Sequence, residues 1–232
     1  MNGEKKLSEL RFAAVVFDLN GTLFDSLADT ALSANLVLER LGVRTHPVEN
    51  YRRFAGDGIA MVFMRALPEE MRSPETVAQC VAQYDEIYGK NWNVHSKAYR
   101  GIPELLSAVS SMGVRMAVLS NKSQSLTDKC IEQYFHNVPF EVVLGKREGM
   151  PLKPHPAGAL EISQRLKINS DACAYLGDTA VEVQTARAAA MFPVGALWGY
   201  RSRDELFQSG AAALIAHPLA LLPILNAGRG ET

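Results

Sequence analysis

The sequence predicts an α/β fold with a parallel sheet, helices on both faces of that sheet, and an inserted all-helical segment. Short apolar runs bounded by turn residues recur along the chain, which is typical of buried parallel strands. Segments of helical periodicity separate most of these runs, as βαβ units require. A block of continuous helical periodicity at about residues 25–98, with no strand pattern inside it, predicts the insertion.

The first predicted strand, at about residues 12–19, is the segment around which the others are arranged. Its apolar run ends in Asp18 and is followed by a turn at Gly21 and Thr22. Ligands of open α/β sheets bind at this carboxyl edge. A strand that merely ends in a polar turn is the alternative interpretation. Further strands are predicted at 114–119, 140–144, 172–176, 193–198 and 213–216.

The helices are predicted from apolar residues that recur every three or four positions. The first follows a capping-box pattern at Ser26 and ends before Gly42. Helices of the sheet region are predicted over Leu105 to Met112, ending at Gly113, and at about 123–134, 157–166, 182–190 and 218–226.

Composition and charge narrow the class of protein. The 232 residues are 47% hydrophobic and 21% charged, and 24 basic against 25 acidic residues leave a net charge of −1, so no nucleic-acid partner is expected. No apolar stretch reaches the ~18 residues of a membrane span, and the start has no secretory pattern. Cys80, Cys130 and Cys173 are scattered, which predicts free thiols in a reducing cytoplasm and no zinc site.

Polar side chains follow three of the predicted strands. Asp18, Ser120 and Asp178 would meet at one edge of a parallel sheet, and Lys153 lies in a loop that can reach the same edge. Two carboxylates, one hydroxyl and one ammonium suit a phosphorylated substrate with Mg²⁺. The residues therefore favour a small phosphorylated metabolite as the partner.

Each of these residues also has a purely structural interpretation. Asp178 could begin the next helix, and Thr179 with Glu182 forms a capping-box pattern of its own. Ser120 could belong to a turn, and Lys153 could be a solvated loop residue. Their joint occurrence, in order, at successive strand ends argues against these alternatives.

That joint pattern resembles the haloacid dehalogenase-like hydrolase superfamily. Asp18-Leu-Asn20-Gly-Thr matches its Asp-x-Asp-Gly-Thr motif with one departure, and Ser120, Lys153 and the Asp178/Glu182 pair match its other three motifs. The resemblance implies a Rossmann-like core of residues 1–24 and 99–232, with an α-helical cap at 25–98. Gly56-Asp-Gly58 with Arg65, and the segment 197–200, resemble the phosphoglycolate phosphatase branch.

The resemblance implies a role for each residue. Asp18 would be the nucleophile that forms an aspartyl-phosphate, which water then hydrolyses. Mg²⁺ would be held by Asp18, the backbone carbonyl of Asn20, and Asp178, with Glu182 among the ligands or just behind them. The residues implied to bind phosphate are Gly21, Thr22, Ser120, Asn121 and Lys153. Those implied to contact the substrate from the cap are Gly56, Asp57, Gly58 and Arg65.

Asn20 stands where the phosphatases of this superfamily carry an aspartate that protonates the leaving group and then activates water. An amide can do neither, although its backbone carbonyl remains available to Mg²⁺. Loss of general acid–base catalysis costs ~10²–10⁴-fold in rate. Three explanations stay open: a variant made to slow the reaction, a natural member of low activity or altered chemistry, and deamidation at Asn20-Gly21.

The function that the sequence favours is Mg²⁺-dependent hydrolysis of a small phosphomonoester similar to 2-phosphoglycolate. A phosphate-binding protein without catalysis is the alternative from another class. A phosphosugar mutase would need the acid–base residue even more, so Asn20 disfavours it. A dehalogenase is disfavoured because that branch works without Mg²⁺. The sequence does not choose between a monomer and a homodimer.

Overall fold

Six parallel strands form the central sheet of the protein, whose computed structural model describes residues 12–227. They are β1 (Ala14–Phe17), β4 (Arg115–Ser123), β5 (Phe140–Lys146), β6 (Cys173–Gly177), β7 (Phe192–Ala196) and β8 (Ala213–Ile215). Their order across the sheet is β5-β4-β1-β6-β7-β8. All six coincide with predicted strands, so the predicted α/β class with a parallel sheet is confirmed.

Strand β1 lies at the centre of the sheet and is completely buried. Val16 pairs in parallel with Ala117 of β4 on one side and with Tyr175 of β6 on the other. All four residues of β1 are apolar and inaccessible to solvent. A strand covered on both faces needs no polar alternation, which is why its sequence is a continuous apolar run.

Helices cover both faces of the sheet. On one face, α7 (Ala157–Leu166) and α8 (Ala180–Ala188) pack over Val16. On the other, Val15 and Phe17 share the main core with α5 (Ile102–Ser111), α6 (Gln124–Phe135) and α10 (Leu221–Asn226). The short helix α9 (Arg203–Gln208) packs beside β7 and β8. This arrangement follows from strand geometry, since successive side chains of a strand point to opposite faces.

The helical insertion leaves and rejoins the core through a two-stranded antiparallel ribbon. Strand β2 (Phe24–Asp25) pairs with β3 (Lys97–Ala98), and four α-helices lie between them. These are α1 (Leu27–Arg40), α2 (Tyr51–Phe54), α3 (Ile59–Ala66) and α4 (Pro74–Asn91). The ribbon was not predicted, because strands of two residues are too short to show an alternating pattern.

Some element boundaries differ from the prediction. Strand β4 continues to Ser123, whereas the sequence predicts its end at residue 119. Its register against β5 shifts between Leu119 and Ser123, so the polar residues after the apolar run stay extended without regular pairing. The predicted closing helix begins as a 3₁₀ turn at Pro218–Ala220. The predicted polar lead-in, residues 1–11, lies outside the described residues.

Two further predictions concern the whole chain. Cys80, Cys130 and Cys173 are buried and free, as expected. Within residues 12–227 no helix combines the length and the apolar character that crossing a membrane requires.

A buried carboxylate ties the start of the insertion to its end. Asp29 of α1 accepts hydrogen bonds from the backbone nitrogens of His95 and Ser96 at 2.9–3.0 Å and from Ser96 Oγ at 2.6 Å. The Asp29 side chain is almost fully buried. It therefore satisfies the buried N–H and O–H donors of Ser96 next to β3.

We expect Asp29→Ala to lower the free energy of unfolding by about 2 kcal/mol or more, because it leaves buried N–H groups without an acceptor. Urea denaturation measures this loss. Asp128→Ala is the matched control, since Asp128 is an exposed helical residue and its removal should cost no more than about 0.5 kcal/mol. Equal losses for the two variants would contradict the role given to Asp29.

Candidate active site

A buried lysine joins two carboxylates at the carboxyl edge of the sheet. Lys153 Nζ lies 2.6 Å from Asp18 Oδ1 and 2.8 Å from Glu182 Oε1, and it also donates to the carbonyl of Leu119 at 3.2 Å. Asp18, Lys153 and Glu182 are at most 6% exposed. The loop after β5 thus places the ammonium group of Lys153 at the end of β1, as the sequence predicts.

Burial sets the charge states in this cluster. It raises the pKa of Asp18 to about 6, because the lost hydration outweighs the opposing attraction of Lys153. Burial alone would lower the pKa of Lys153, but the Asp18 and Glu182 carboxylates reverse this and hold that pKa well above its ordinary value. Lys153 therefore keeps its positive charge next to the Asp18 oxygen.

Asp178, at the end of β6, is fixed by two hydrogen bonds from distant segments. Its Oδ1 accepts from Thr22 Oγ1 at 3.0 Å and its Oδ2 from the backbone nitrogen of Tyr200 at 2.7 Å. The side chain is fully buried against Gly21 and Gly199, where a Cβ atom on either residue would collide with it. The turn after β1 and the loop after β7 therefore position this carboxylate.

The cluster holds more carboxyl groups than cationic groups. Lys153 pairs with Asp18 and Glu182, and the pKa of Asp178 is raised well above its usual range by burial and by repulsion from these two carboxylates. A divalent cation would relieve this repulsion. Asp18 and Asp178 supply carboxylate oxygens, the ligands that Mg²⁺ accepts together with phosphate and water.

Glu182 is engaged on both of its oxygens. Its Oε1 accepts from Lys153, and its Oε2 accepts from Thr179 N at 3.0 Å and Thr179 Oγ1 at 2.6 Å in a capping box at the start of α8. Within residues 12–227, no group of three or more His, Cys, Asp or Glu side chains is arranged to hold a metal. These contacts favour a place for Glu182 behind the metal ligands rather than among them.

The polar residues after Leu119 differ in their surroundings. Ser120 is buried on the wall of the cavity that contains Asp18, and its Oγ accepts from Lys122 N at 3.1 Å, which leaves its O–H free to donate. Asn121 exchanges two hydrogen bonds with the Lys153 backbone, at 2.9 and 3.1 Å. Asn121 therefore holds the lysine loop in place.

Asn20 lies beside Asp18 on the wall of the same cavity. Its Oδ1 accepts from the buried hydroxyl of Ser26 at 2.9 Å. The next backbone nitrogen, that of Gly21, donates to the carbonyl of Phe24 at 2.9 Å. Deamidation requires that nitrogen to attack the Asn20 side chain, so this hydrogen bond disfavours deamidation as an explanation for the residue.

The cavity lies between the sheet edge and the helical insertion and has a volume of about 160 Å³. Asp18, Ser120 and Lys153 form its floor. The insertion contributes a mostly apolar wall, which includes Val62, Val81 and Tyr84. Drug-sized ligands occupy pockets of about 300–1,000 Å³, so this space suits a small molecule.

Comparison with known proteins identifies the family. A family model described as haloacid dehalogenase-like hydrolase matches residues 15–196. The chain belongs to this family. The match spans β1 to β7 and thus includes all four of the motifs at the sheet edge.

Two curated relatives of this hydrolase are phosphoglycolate phosphatases. That of Thiobacillus denitrificans is 31% identical over 183 residues, which are 78% of this chain and 81% of the relative. That of Aquifex aeolicus is 29% identical over 186 residues, covering 80% and 85%. The hydrolase is therefore similar to phosphoglycolate phosphatases along most of its length.

Solved structures share the fold. A Lactobacillus delbrueckii subsp. bulgaricus protein proposed to be a phosphoglycolate phosphatase superposes with a TM-score of 0.88 at 26% identity, over 96% of this chain and all of that one. A haloacid dehalogenase-like hydrolase from Bacteroides fragilis gives 0.85 at 21% identity, over 91% of this chain and all of that one. The Rossmann-like core with a helical cap is confirmed.

The structure separates the predicted cap residues into two pairs. Gly56 and Gly58 line the cavity of the hydrolase, both with positive φ. Asp57 and Arg65 do not line it: they form an ion pair at 2.5 Å, and Arg65 also donates to the carbonyl of Phe54 at 2.7 Å. Their contacts hold the loop that carries Gly56 and Gly58. They do not favour direct binding of the substrate by Asp57 or Arg65.

Gly21 and Thr22 lie behind the floor of the cavity rather than on it. Thr22 is fully buried, its hydroxyl donates to Asp178, and its carbonyl accepts from Trp198 Nε1 at 2.9 Å. The backbone nitrogen of Gly21 is already paired. These contacts support a role in holding Asp178 rather than in direct phosphate binding.

Two arginines that join cap and core were missed by the sequence analysis. Arg52 of the cap donates to the Gly199 carbonyl at 2.7 Å, and Arg201 of the core donates to the carbonyls of Arg52 and Ala55. We call these contacts the arginine clasp. Only the resemblance of segment 197–200 to one branch of the family pointed to this region.

We expect Gly21→Ala to destabilise the hydrolase by about 1–3 kcal/mol more than Gly42→Ala. Both glycines have positive φ (+93° and +68°), so the two variants share the backbone strain. Only at position 21 would the new Cβ meet Asp178, whose Cγ lies 2.7 Å away, whereas nothing lies within 4 Å at position 42. Urea denaturation compares the two. Equal destabilisation would show that Gly21 is not packed against Asp178.

Proposed function

We propose that this hydrolase is a Mg²⁺-dependent phosphatase of small phosphomonoesters similar to 2-phosphoglycolate, and that Asn20 slows it. The observation that carries the proposal is the contact of Lys153 with Asp18 at 2.6 Å on the floor of a small cavity under the cap. The names of the curated relatives support the substrate class. The buried free cysteines support the expected cytoplasmic location.

In the proposed reaction, Asp18 attacks the phosphorus atom. A bond forms between its carboxylate oxygen and phosphorus, the bond from phosphorus to the ester oxygen breaks, and the alkoxide leaves with the bonding electrons. Water then cleaves the aspartyl-phosphate, which releases phosphate and regenerates Asp18. Bound Mg²⁺ would neutralise charge on the transferring group.

Lys153 and Ser120 act on the phosphoryl oxygens in this proposal. Lys153 keeps its charge, so it can lower the repulsion between the anionic Asp18 and an anionic phosphate. The free O–H of Ser120 can donate to a phosphoryl oxygen. Glu182 and Asn121 are positioning residues, because they hold the side chain and the backbone of Lys153.

Asn20 limits the rate because both steps need a proton transfer at its position. The alkoxide leaves unprotonated, and the attacking water has no carboxylate to take its proton. In the first step, the loss of rate should be largest for alkyl esters, whose leaving groups are strong bases, and smaller for acyl phosphates, whose leaving groups need no proton. The hydrolysis of the aspartyl-phosphate is slowed equally for every substrate.

We expect Asn20→Asp to raise phosphate release from 2-phosphoglycolate by about 10²–10⁴-fold, the usual contribution of general acid–base catalysis. The gain in kcat/KM, which reports the transfer of the phosphoryl group to Asp18, should be much smaller for acetyl phosphate. Steady-state phosphate release with Mg²⁺ measures both. Asp18→Asn in either background should abolish turnover and serves as the control. Equal rates for the unmodified chain and the Asn20→Asp variant on both substrates would overturn the assignment of position 20.

The second candidate is a phosphate-binding protein without turnover, and the amide of Asn20 is the observation that favours it. Such a protein would bind 2-phosphoglycolate and Mg²⁺ without releasing phosphate, and Asn20→Asp would not make it active. A phosphosugar mutase remains disfavoured for the reason given by the sequence. One chain supplies every proposed site residue, so a monomer and a homodimer are equally compatible with the proposal.

Mg²⁺ should raise the thermal midpoint of unfolding by about 5–10 °C at a concentration ~100-fold above its dissociation constant. The physical reason is relief of the repulsion among Asp18, Asp178 and Glu182. Asp178→Asn should lose most of the shift, whereas Glu86→Gln, at an exposed helical position, should keep it. A scanning calorimeter reads the shift without any turnover. A shift that survives Asp178→Asn would place the ion elsewhere.

A further inference from the structure

The cap supplies no cation to the cavity, although a substrate with a carboxylate would call for one. Arg52 belongs to the arginine clasp and Arg65 pairs with Asp57. None of the cap's arginines is among the residues that line the cavity. Positive charge must therefore come from the core side.

Three lysines of the core line the cavity, and two of them face carboxylates. Lys153 pairs with Asp18 and Glu182. Lys146 attracts Asp85, which lines the cavity from helix α4. Lys122 is the third, and within residues 12–227 it forms no ion pair.

The surroundings of Lys122 hold its ammonium at the cavity wall. Its Nζ donates to Tyr88 OH at 2.6 Å and lies 4.6 Å from the centre of the Tyr88 ring and 5.9 Å from that of Phe24. Asp29 acts on it from beyond ion-pair distance, and both Asp29 oxygens already accept hydrogen bonds near β3. Among the described residues, the other N–H bonds of this Nζ have no acceptor.

The position of Lys122 suits contact with the leaving part of a phosphomonoester. It follows Ser120 by two residues in the extended end of β4, and both residues line the cavity. Ser120 lies on the floor beside Asp18, and Tyr88 reaches Lys122 from the cap. The ammonium therefore stands between the phosphate position and the apolar wall of the cap.

We propose that Lys122, held by Tyr88, binds a carboxylate on the leaving group, so that this site selects small phosphomonoesters that also carry a carboxylate. The inference rests on the proposed function and names the residues that would determine its specificity. A monoanion matches the single charge of Lys122. A second phosphate would leave uncompensated charge beside Val62, Val81 and Leu126, which is costly in a partly dry cavity.

The test compares two ligands of nearly equal shape. 2-Phosphoglycolate and ethyl phosphate differ in that a carboxylate replaces a methyl group. Titration calorimetry with Mg²⁺ gives both dissociation constants for the chain as it stands. We expect 2-phosphoglycolate to bind about 10–100-fold more tightly, the range for a charge-assisted hydrogen bond.

Lys122→Met should bring the ratio of the two affinities close to one. Its dissociation constant for ethyl phosphate should stay within about threefold of that of the unmodified chain. Lys146→Met is the matched control and should keep the ratio, because Lys146 faces Asp85. Tyr88→Phe keeps the ring and removes the hydrogen bond, so it should lower the ratio about fivefold. This second variant decides the question if Lys122→Met does not fold.

Two outcomes would overturn the inference. If Lys122→Met weakened the binding of both ligands equally, Lys122 would only hold the cap against the core. Equal affinity of the unmodified chain for both ligands would show that no carboxylate subsite exists. Because binding is read without turnover, a preference with no phosphate release would refute the proposed catalysis and support the subsite. Phosphate release from both esters with equal affinity for them would support the catalysis and refute the subsite.

Discussion

The buried ion pair between Lys153 and Asp18 is the interaction on which the rest of the structure depends. A buried charge without a partner costs several kcal/mol, so the ends of β1, of the loop after β5, and of β6 with α8 must meet within hydrogen-bond distance. Asn121 fixes the backbone of Lys153 and Glu182 fixes its ammonium. The parallel sheet is the frame that brings these segments, far apart in sequence, to one edge.

The sheet and the residues at its edge could be predicted because each depends on local patterns. Apolar runs identified all six strands, and polar residues at their ends identified the floor of the cavity. Features that depend on tertiary contacts could not be predicted. Two-residue strands carry no periodicity, so the β2–β3 ribbon was missed. Asp57 and Arg65 were assigned to the substrate, but their charges meet each other. Lys122 has the sequence context of a solvated turn, and only the fold shows that Tyr88 and the cavity surround it.

In the proposed mechanism, Asn20 removes a proton-transfer group while the architecture of the site is kept. The amide accepts a hydrogen bond from Ser26 at a place where a carboxylate could do the same. The turn that follows is packed against Asp178 and does not depend on the charge at position 20. Folding and the proposed proton transfer therefore place separate demands on this residue. A relative could gain or lose the acid–base group without rebuilding the sheet edge.

The arginine clasp changes how access to the cavity must be understood. The cap is attached to the core covalently through the β2–β3 ribbon and non-covalently through Arg52 and Arg201 at another point of its base. Tyr88 and Lys122 join cap and core at a further point. A cap that opens about the ribbon must therefore break the clasp and the Tyr88–Lys122 hydrogen bond. The clasp contacts Gly199, which packs against Asp178. Breaking the clasp would therefore also change the surroundings of the carboxylate cluster.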